Sequence, residues 1–187
     1  MIKDSHMKEV FPKPPMVAYR QAKNSSLRSL LVKAKLPNHS KPTRKKAGMK
    51  KCRTSKCKAC PFIKETLKVK SSASQFSVAI QREVNCETKN VIYCIYCDKP
   101  ACKKIQYIGE TARSFEARFR EHLGYIRNNN LSQPTGAHFN LPGHSISDMK
   151  ATILEKCKED SPTYRKLRES YLINKFNTRA GGMNQRS

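Results

Sequence analysis

VIYCIYCDKPACKKIQYIGETARSFEARFREH, residues 91–122, is the stretch that decides the fold. Val91 to Tyr96 is a run of β-branched and aromatic residues, and so, Gln106 apart, is Ile105 to Ile108. Both suit strands of a small sheet. Between them lies CDKPACKK, with two cysteines, a proline and three lysines, which is hairpin-loop chemistry. Gly109 closes the second run, and Ser114 is a good N-cap for a helix. Phe115, Phe119, Leu123 and Ile126 then recur at spacings of four and three, which predicts one apolar stripe against a core.

Tyr93 and Tyr107 fall on neighbouring strands of this hairpin, and Arg118 and His122, four apart, share a helix face. Two phenols, a guanidinium and an imidazole beside a basic surface can handle a phosphodiester. The tripeptides Val91-Ile92-Tyr93 and Tyr107-Ile108-Gly109 resemble the two signatures of the GIY-YIG endonucleases. Arg118 and His122 stand where that family's helix carries its arginine and, in many members, a histidine. The closer resemblance is to the endonuclease domain of Penelope-like retroelements. A Cys pair sits between the tripeptides, the second reads on as YIGET, and the end reads like Gly182-Met183-Asn184. The Cys-rich stretch upstream resembles the same elements' linker. Val91 replaces the glycine of the first signature, and valine suits a strand.

Composition agrees with a polyanionic partner. The chain of 187 residues carries a formal charge of +24, which favours nucleic acid. A packaging protein would share that charge, so charge does not separate binding from cutting. There are eight cysteines, but Met1 to Val10 is polar and no run approaches a membrane span. Without a secretory route, clustered cysteines read as metal ligands rather than disulfides. With no tryptophan and 7% aromatic residues, the core is small, and metal can help to hold it.

Three regions follow: a basic, largely irregular arm at 1–48, a Cys-rich linker at 49–88 and the endonuclease-like domain at 89–187. In the arm, Ser25 to Lys35 suits a short helix that Pro37 and Pro42 stop. No polymerase signature is present, so the chain reads as a fragment of a longer polyprotein or a truncated copy. Lys45, Lys46, Lys50, Lys51 and Arg53 form a dense basic run, either a nuclear-import signal, a phosphate-binding arm or a solvated linker. Lys103, Lys104 and Arg113 are further candidate DNA contacts.

Cys52-x4-Cys57-x2-Cys60 has zinc-knuckle spacing. Cys86, at the end of a candidate hairpin segment from Gln75 to Val84, is the best fourth ligand. Cys97, Cys102, His138 and His144 form a second candidate site; free thiols and surface histidines are the alternative, and the retroelement resemblance implies a Cys-Cys-His-His zinc site. Cys94 and Cys157 read as ordinary buried cysteines.

Leu131 to Phe139 suits a short helix, Lys150 to Leu154 a third strand, and Asp160-Ser161-Pro162 the start of a last helix. That helix is expected to bury Tyr164, Leu167, Tyr171 and Leu172 and to end over Asn177 to Gly182, where Gly181 and Gly182 allow a tight turn. The sum is an α+β fold, a three-stranded antiparallel sheet flanked by helices.

By resemblance, Glu169 on that helix holds one Mg²⁺ or Mn²⁺; alone, it reads as a surface partner of Arg165 four residues earlier. Resemblance also gives Tyr93 the proton of the attacking water, with nearby positive charge from Lys103, Lys104, Arg118 and His122 needed to lower its pKa. His122 is the alternative base. Tyr107 would position water or phosphate, and Asn184 would order the site. The activity implied is a metal-dependent nickase that primes retroelement insertion in the nucleus. Its partners would be DNA, the element's RNA and a reverse transcriptase region of the same polyprotein. A zinc-stabilised binding module without cleavage is the competing reading.

Overall fold

Every residue of Val91–Cys97 (β5) is buried, because this strand is covered on both flanks and both faces. Gln106–Thr111 (β6) and Met149–Lys156 (β7) pair with it antiparallel in the order β6-β5-β7. The hairpin expectation holds, although β6 runs two residues past Gly109. Tyr93 stands opposite Gly109 on β6 and Ile153 on β7, where the register shifts after Ile92. The computed structural model describes Lys13, residues 47–102 and residues 105–184. The expected helix at Ser25–Lys35, Lys45, Lys46, Lys103 and Lys104 lie outside these. Arg44–Ser187 is one compact unit.

Helix α1, Phe115–Arg127, starts where Ser114 accepts a hydrogen bond from the Ala117 N–H. Its stripe of Phe115, Phe119, Leu123 and Ile126 is buried, and His122 is buried with it. Helix α2, Pro134–Phe139, is short, and Pro134 fills its first turn. A β-carbon on Gly136 would overlap the Asn130 carbonyl oxygen, so only glycine lets α2 lie this close to the end of α1. Helix α3, Pro162–Phe176, is capped by Ser161 and ends at Asn177, which takes the left-handed conformation at φ 55°. The helix thus stops at the start of the expected end over Asn177 to Gly182, and the left-handed residue there is the asparagine rather than either glycine.

The expected stripe on α3 is corrected. Leu167 and Tyr171 are exposed, while Arg165, Leu172, Ile173 and Phe176 are buried. Arg165 displaces the apolar pattern because its Nε donates to Glu110 at 2.8 Å and its Nη1 to Asn90 and Asp160 at 3.0 Å each.

The Cys-rich segment builds two small pairings. Gly48–Met49 (β1) lies parallel to Glu83–Val84 (β4), and Lys68–Lys70 (β2) lies antiparallel to Ser77–Ala79 (β3). Of the candidate segment from Gln75 to Val84, β3 forms a hairpin with β2 ahead of it, while β4 pairs parallel with β1 and leads on to Cys86. The segment joins the main sheet at β7, where Ile63 bridges Ala151 and the Lys64 N–H donates to the Ala151 carbonyl at 3.1 Å. None of the described helices is long and apolar enough to cross a membrane.

Phe119 packs against Phe115 and Phe62 at ring separations of 5.6 and 5.4 Å. Phe119→Ala is expected to cost about 3–5 kcal/mol in urea unfolding. Leu167→Ala, on the exposed face of α3, is expected to stay within about 0.5 kcal/mol.

Candidate active site

The Tyr93 side chain points from β5 toward α1, and its ring packs edge-on against Phe115. Its hydroxyl lies 2.8 Å from His122 Nε2 and accepts a hydrogen bond from Arg118 Nε at 3.0 Å. The helix spacing of Arg118 and His122 brings both to one phenol. A β-carbon on Gly109 would sit 2.6 Å from the Tyr93 oxygen, which explains a glycine opposite this tyrosine. Tyr107 completes an aromatic group, with ring separations of 6.4 Å to Tyr93 and 5.4 Å to His122. On its other side, His122 Nδ1 lies 2.9 Å from Thr135 Oγ1 on α2.

Asn184 acts on the backbone of β6. Its side-chain oxygen accepts from the Ile108 N–H at 2.9 Å, and its amide donates to the Ile108 carbonyl at 2.8 Å. One amide thus occupies the outer edge of the strand between Tyr107 and Gly109.

The electrostatics are set by burial. Burial, then the neighbouring Tyr107, holds the Tyr93 phenol well above its ordinary pKa, and Arg118 only partly offsets this. The expectation that positive charge lowers Tyr93 is therefore reversed among the described residues. Burial, with Arg118 adding to it, pushes His122 down from 6.5 to about 3, so the ring is a neutral acceptor. Arg118 stays cationic, and Glu121 on the same helix pairs with it and with Arg113. Burial and then the Glu110 carboxylate raise the pKa of Glu169. Arg165 is committed to Glu110 and Asp160, so Glu169 is not its surface partner. Sequence reading missed Glu121 and Glu110. Glu121 follows Arg118 at i+3, a spacing that offers an ion pair, and Glu110 stands inside YIGET.

Two clusters can hold a metal. Cys52, Cys57, Cys60 and Cys86 bring their ligand atoms within 4.8 Å of one another, as do Cys97, Cys102, His138 and His144. In the first, the Cys52–Cys60 and Cys60–Cys86 sulfur pairs lie 3.4 and 3.6 Å apart. The edge of a tetrahedral Zn–thiolate site is about 3.8 Å. In the second, both ring nitrogens of His144 are buried and have no hydrogen-bond partner among the described residues, which suits a metal ligand. Burial raises the Cys57 and Cys97 thiols to about 11, a penalty that a divalent ion reverses. Cys94 and Cys157 are buried outside both clusters.

Of the candidate DNA contacts, Lys51 and Arg53 are exposed, Lys50 pairs with Glu83 at 2.9 Å, and Arg113 pairs with Glu121.

The candidate site is thus a strand-borne tyrosine gripped by a helical arginine and histidine, on a three-stranded α+β domain. Residues 89–184 match the family model of the GIY-YIG catalytic domain. The chain belongs to the GIY-YIG family, whose domain is that of a DNA nuclease. Neither a curated protein nor a solved structure gives a significant match.

The depressed His122 pKa has a stability consequence. The ring is neutral in the folded chain down to about pH 3 but protonates in the unfolded chain below 6.5. Its contribution is therefore complete above 6.5 and is lost as pH falls toward 3. In pH-dependent urea unfolding, the wild type is expected to lose up to about 1.4 kcal/mol per pH unit more than His122→Asn across that window.

Proposed function

We propose that the chain is a metal-dependent endonuclease that nicks one strand of target DNA. The observation that carries this reading is the Tyr93 hydroxyl held between His122 Nε2 at 2.8 Å and Arg118 Nε at 3.0 Å. The resting phenol is protonated, so it needs an acceptor before it can serve as a base. His122 is that acceptor: as the Tyr93 oxygen takes the proton of the attacking water, its own O–H proton shifts to Nε2 in the same step, so no free phenolate is formed beside the weakly basic ring. Arg118 steadies the charge that develops on the Tyr93 oxygen and on the phosphoryl oxygens. Tyr107, only partly buried, lies where it can orient water or phosphate. Asn184 keeps Tyr107 and Gly109 in register by fixing Ile108 between them. Glu169 would hold Mg²⁺ or Mn²⁺, which would polarise the scissile phosphate and stabilise the leaving oxygen.

Zinc is the metal proposed for both Cys clusters, because thiolate and imidazole donors in fours suit it. One active site cuts one strand, which fits a nick that primes insertion of a retroelement in the nucleus. In that reading a reverse transcriptase region belongs to the same polyprotein and the element's RNA is a further partner. Residues 1–48 act as a basic arm, and 49–88 as a zinc-bearing linker ahead of the catalytic domain at 89–187. The exposed Lys51 and Arg53 grip phosphates, which gives salt-dependent affinity without sequence choice.

With Mg²⁺, the wild type is expected to convert supercoiled plasmid to open circle, and Glu169→Ala to do so at least about 100-fold more slowly. Equal rates would reject Glu169 as the metal ligand. Binding without cleavage by either would favour a zinc-stabilised binding module. Metal analysis of the purified chain is expected to give two zinc ions, and Cys86→Ser and His144→Asn one each. A wild-type value of one would remove one site.

A further inference from the structure

Thr135 is absorbed neither by the core nor by the nuclease reading. It lies on α2, fully buried, with its hydroxyl 2.9 Å from His122 Nδ1. We propose that Thr135 is a positioning residue, whose hydroxyl holds His122 in the Nδ1–H tautomer and so turns the Nε2 lone pair toward Tyr93. The inference rests on the nuclease reading and assigns it a residue beyond the signature motifs.

Arg118 Nε–H donates to the Tyr93 oxygen, so the phenol keeps one hydrogen to give. His122 Nε2 lies 2.8 Å away and accepts it. A neutral imidazole carries a single N–H, which must then be on Nδ1. Among the described residues, the hydrogen-bond partner at Nδ1 is Thr135 Oγ1. The other tautomer would point two N–H groups at the phenol oxygen and leave the phenolic hydrogen without its acceptor in a buried site.

A hydroxyl suits this position better than a carboxylate. It accepts from Nδ1–H without bringing charge, so the ring stays neutral until Tyr93 gives up its proton. Among the described residues, the charged groups that act on the ring are Arg118 and Glu121, both from its own helix.

The fold holds Thr135 in place by two devices. Gly136 lets the first turn of α2 press on the Asn130 carbonyl. At the other end, the Asn140 side-chain amide donates to the Ile126 carbonyl at 3.0 Å and the Gly136 carbonyl at 2.8 Å. The two ends of α2 are thereby fixed to the end of α1, and Thr135 is carried against His122. Thr135 touches no reacting atom and acts only through the imidazole.

The test compares zinc-loaded wild type, Thr135→Val and Thr135→Ser. Valine keeps the shape and removes the hydroxyl; serine restores it. Two quantities are read: ¹⁵N shifts of the His122 ring, assigned with His122→Asn, and single-turnover nicking at saturating DNA with Mg²⁺. The wild-type ring is expected to show a protonated Nδ1 and a bare Nε2. Thr135→Val is expected to mix the tautomers and slow nicking roughly 10- to 100-fold at unchanged DNA affinity, part of the roughly 10²–10⁴ that a positioned acid–base group supplies. Thr135→Ser is expected to recover the wild-type ring signature and most of the rate. A wild-type ring protonated at Nε2, or a Thr135→Val chain that nicks at the wild-type rate, overturns the inference and leaves the nuclease reading standing. A wild type that binds DNA and never nicks brings down the nuclease reading and this catalytic role together, while the ring shifts still decide the tautomer.

Discussion

The structure depends on one buried hydroxyl. Tyr93 stands on the middle strand of the sheet, and its phenol must be satisfied away from water. Three neighbours are chosen around it: a glycine opposite on β6 that leaves room, a guanidinium, and an imidazole. Each makes a demand of its own. The guanidinium needs Glu121, and the imidazole needs Thr135, which requires α2 to pack against α1. The chain from strand to helix to helix is thus one hydrogen-bonded series. Its polar members are tolerated in the core because each is partnered.

Much of this was legible in the sequence. The β-branched runs, the Ser114 cap and the four-and-three spacing gave β5, β6 and α1, since local propensity and burial agree there. The Cys52, Cys57, Cys60 and Cys86 cluster followed from spacing and donor chemistry, whereas for Cys97, Cys102, His138 and His144 the residues left free thiols open and the retroelement resemblance implied the zinc site. The stripe on α3 was misread because Arg165 takes a buried place through partners 55 and 75 residues away in sequence, which no local pattern reveals. The sign of the Tyr93 shift was misread for a related reason. Positive charge is visible in a sequence, whereas the depth at which a phenol is buried is not. Thr135 had no signal of its own, because its meaning arises only when α2 is seated against α1.

The charge of the chain is also clearer in the structure than in its sum. Lys and Arg outnumber Asp and Glu by 38 to 14, and several of those acids are spent on internal pairs. Glu110 and Asp160 hold Arg165, Glu121 holds Arg118 and Arg113, and Glu155 holds Arg168. The carboxylates organise the site and the packing of α3, so the surplus positive charge is left for the surface, where a polyanion meets it.

Both outer edges of the sheet are finished by segments from elsewhere in the chain. The Cys-rich segment bridges β7 at Ala151, and Met183 and Asn184 take up Gln106 and Ile108 on β6. Open edges invite strands of other molecules, so these bonds guard against aggregation as well as shaping the site. They also order events in time. A chain growing from its N-terminus lays down β6 long before Asn184 emerges. Through that interval the strand that carries Tyr107 and Gly109 has an unfinished edge. The finishing of that edge, and with it the final register of Tyr107 and Gly109, waits until Asn184 has followed.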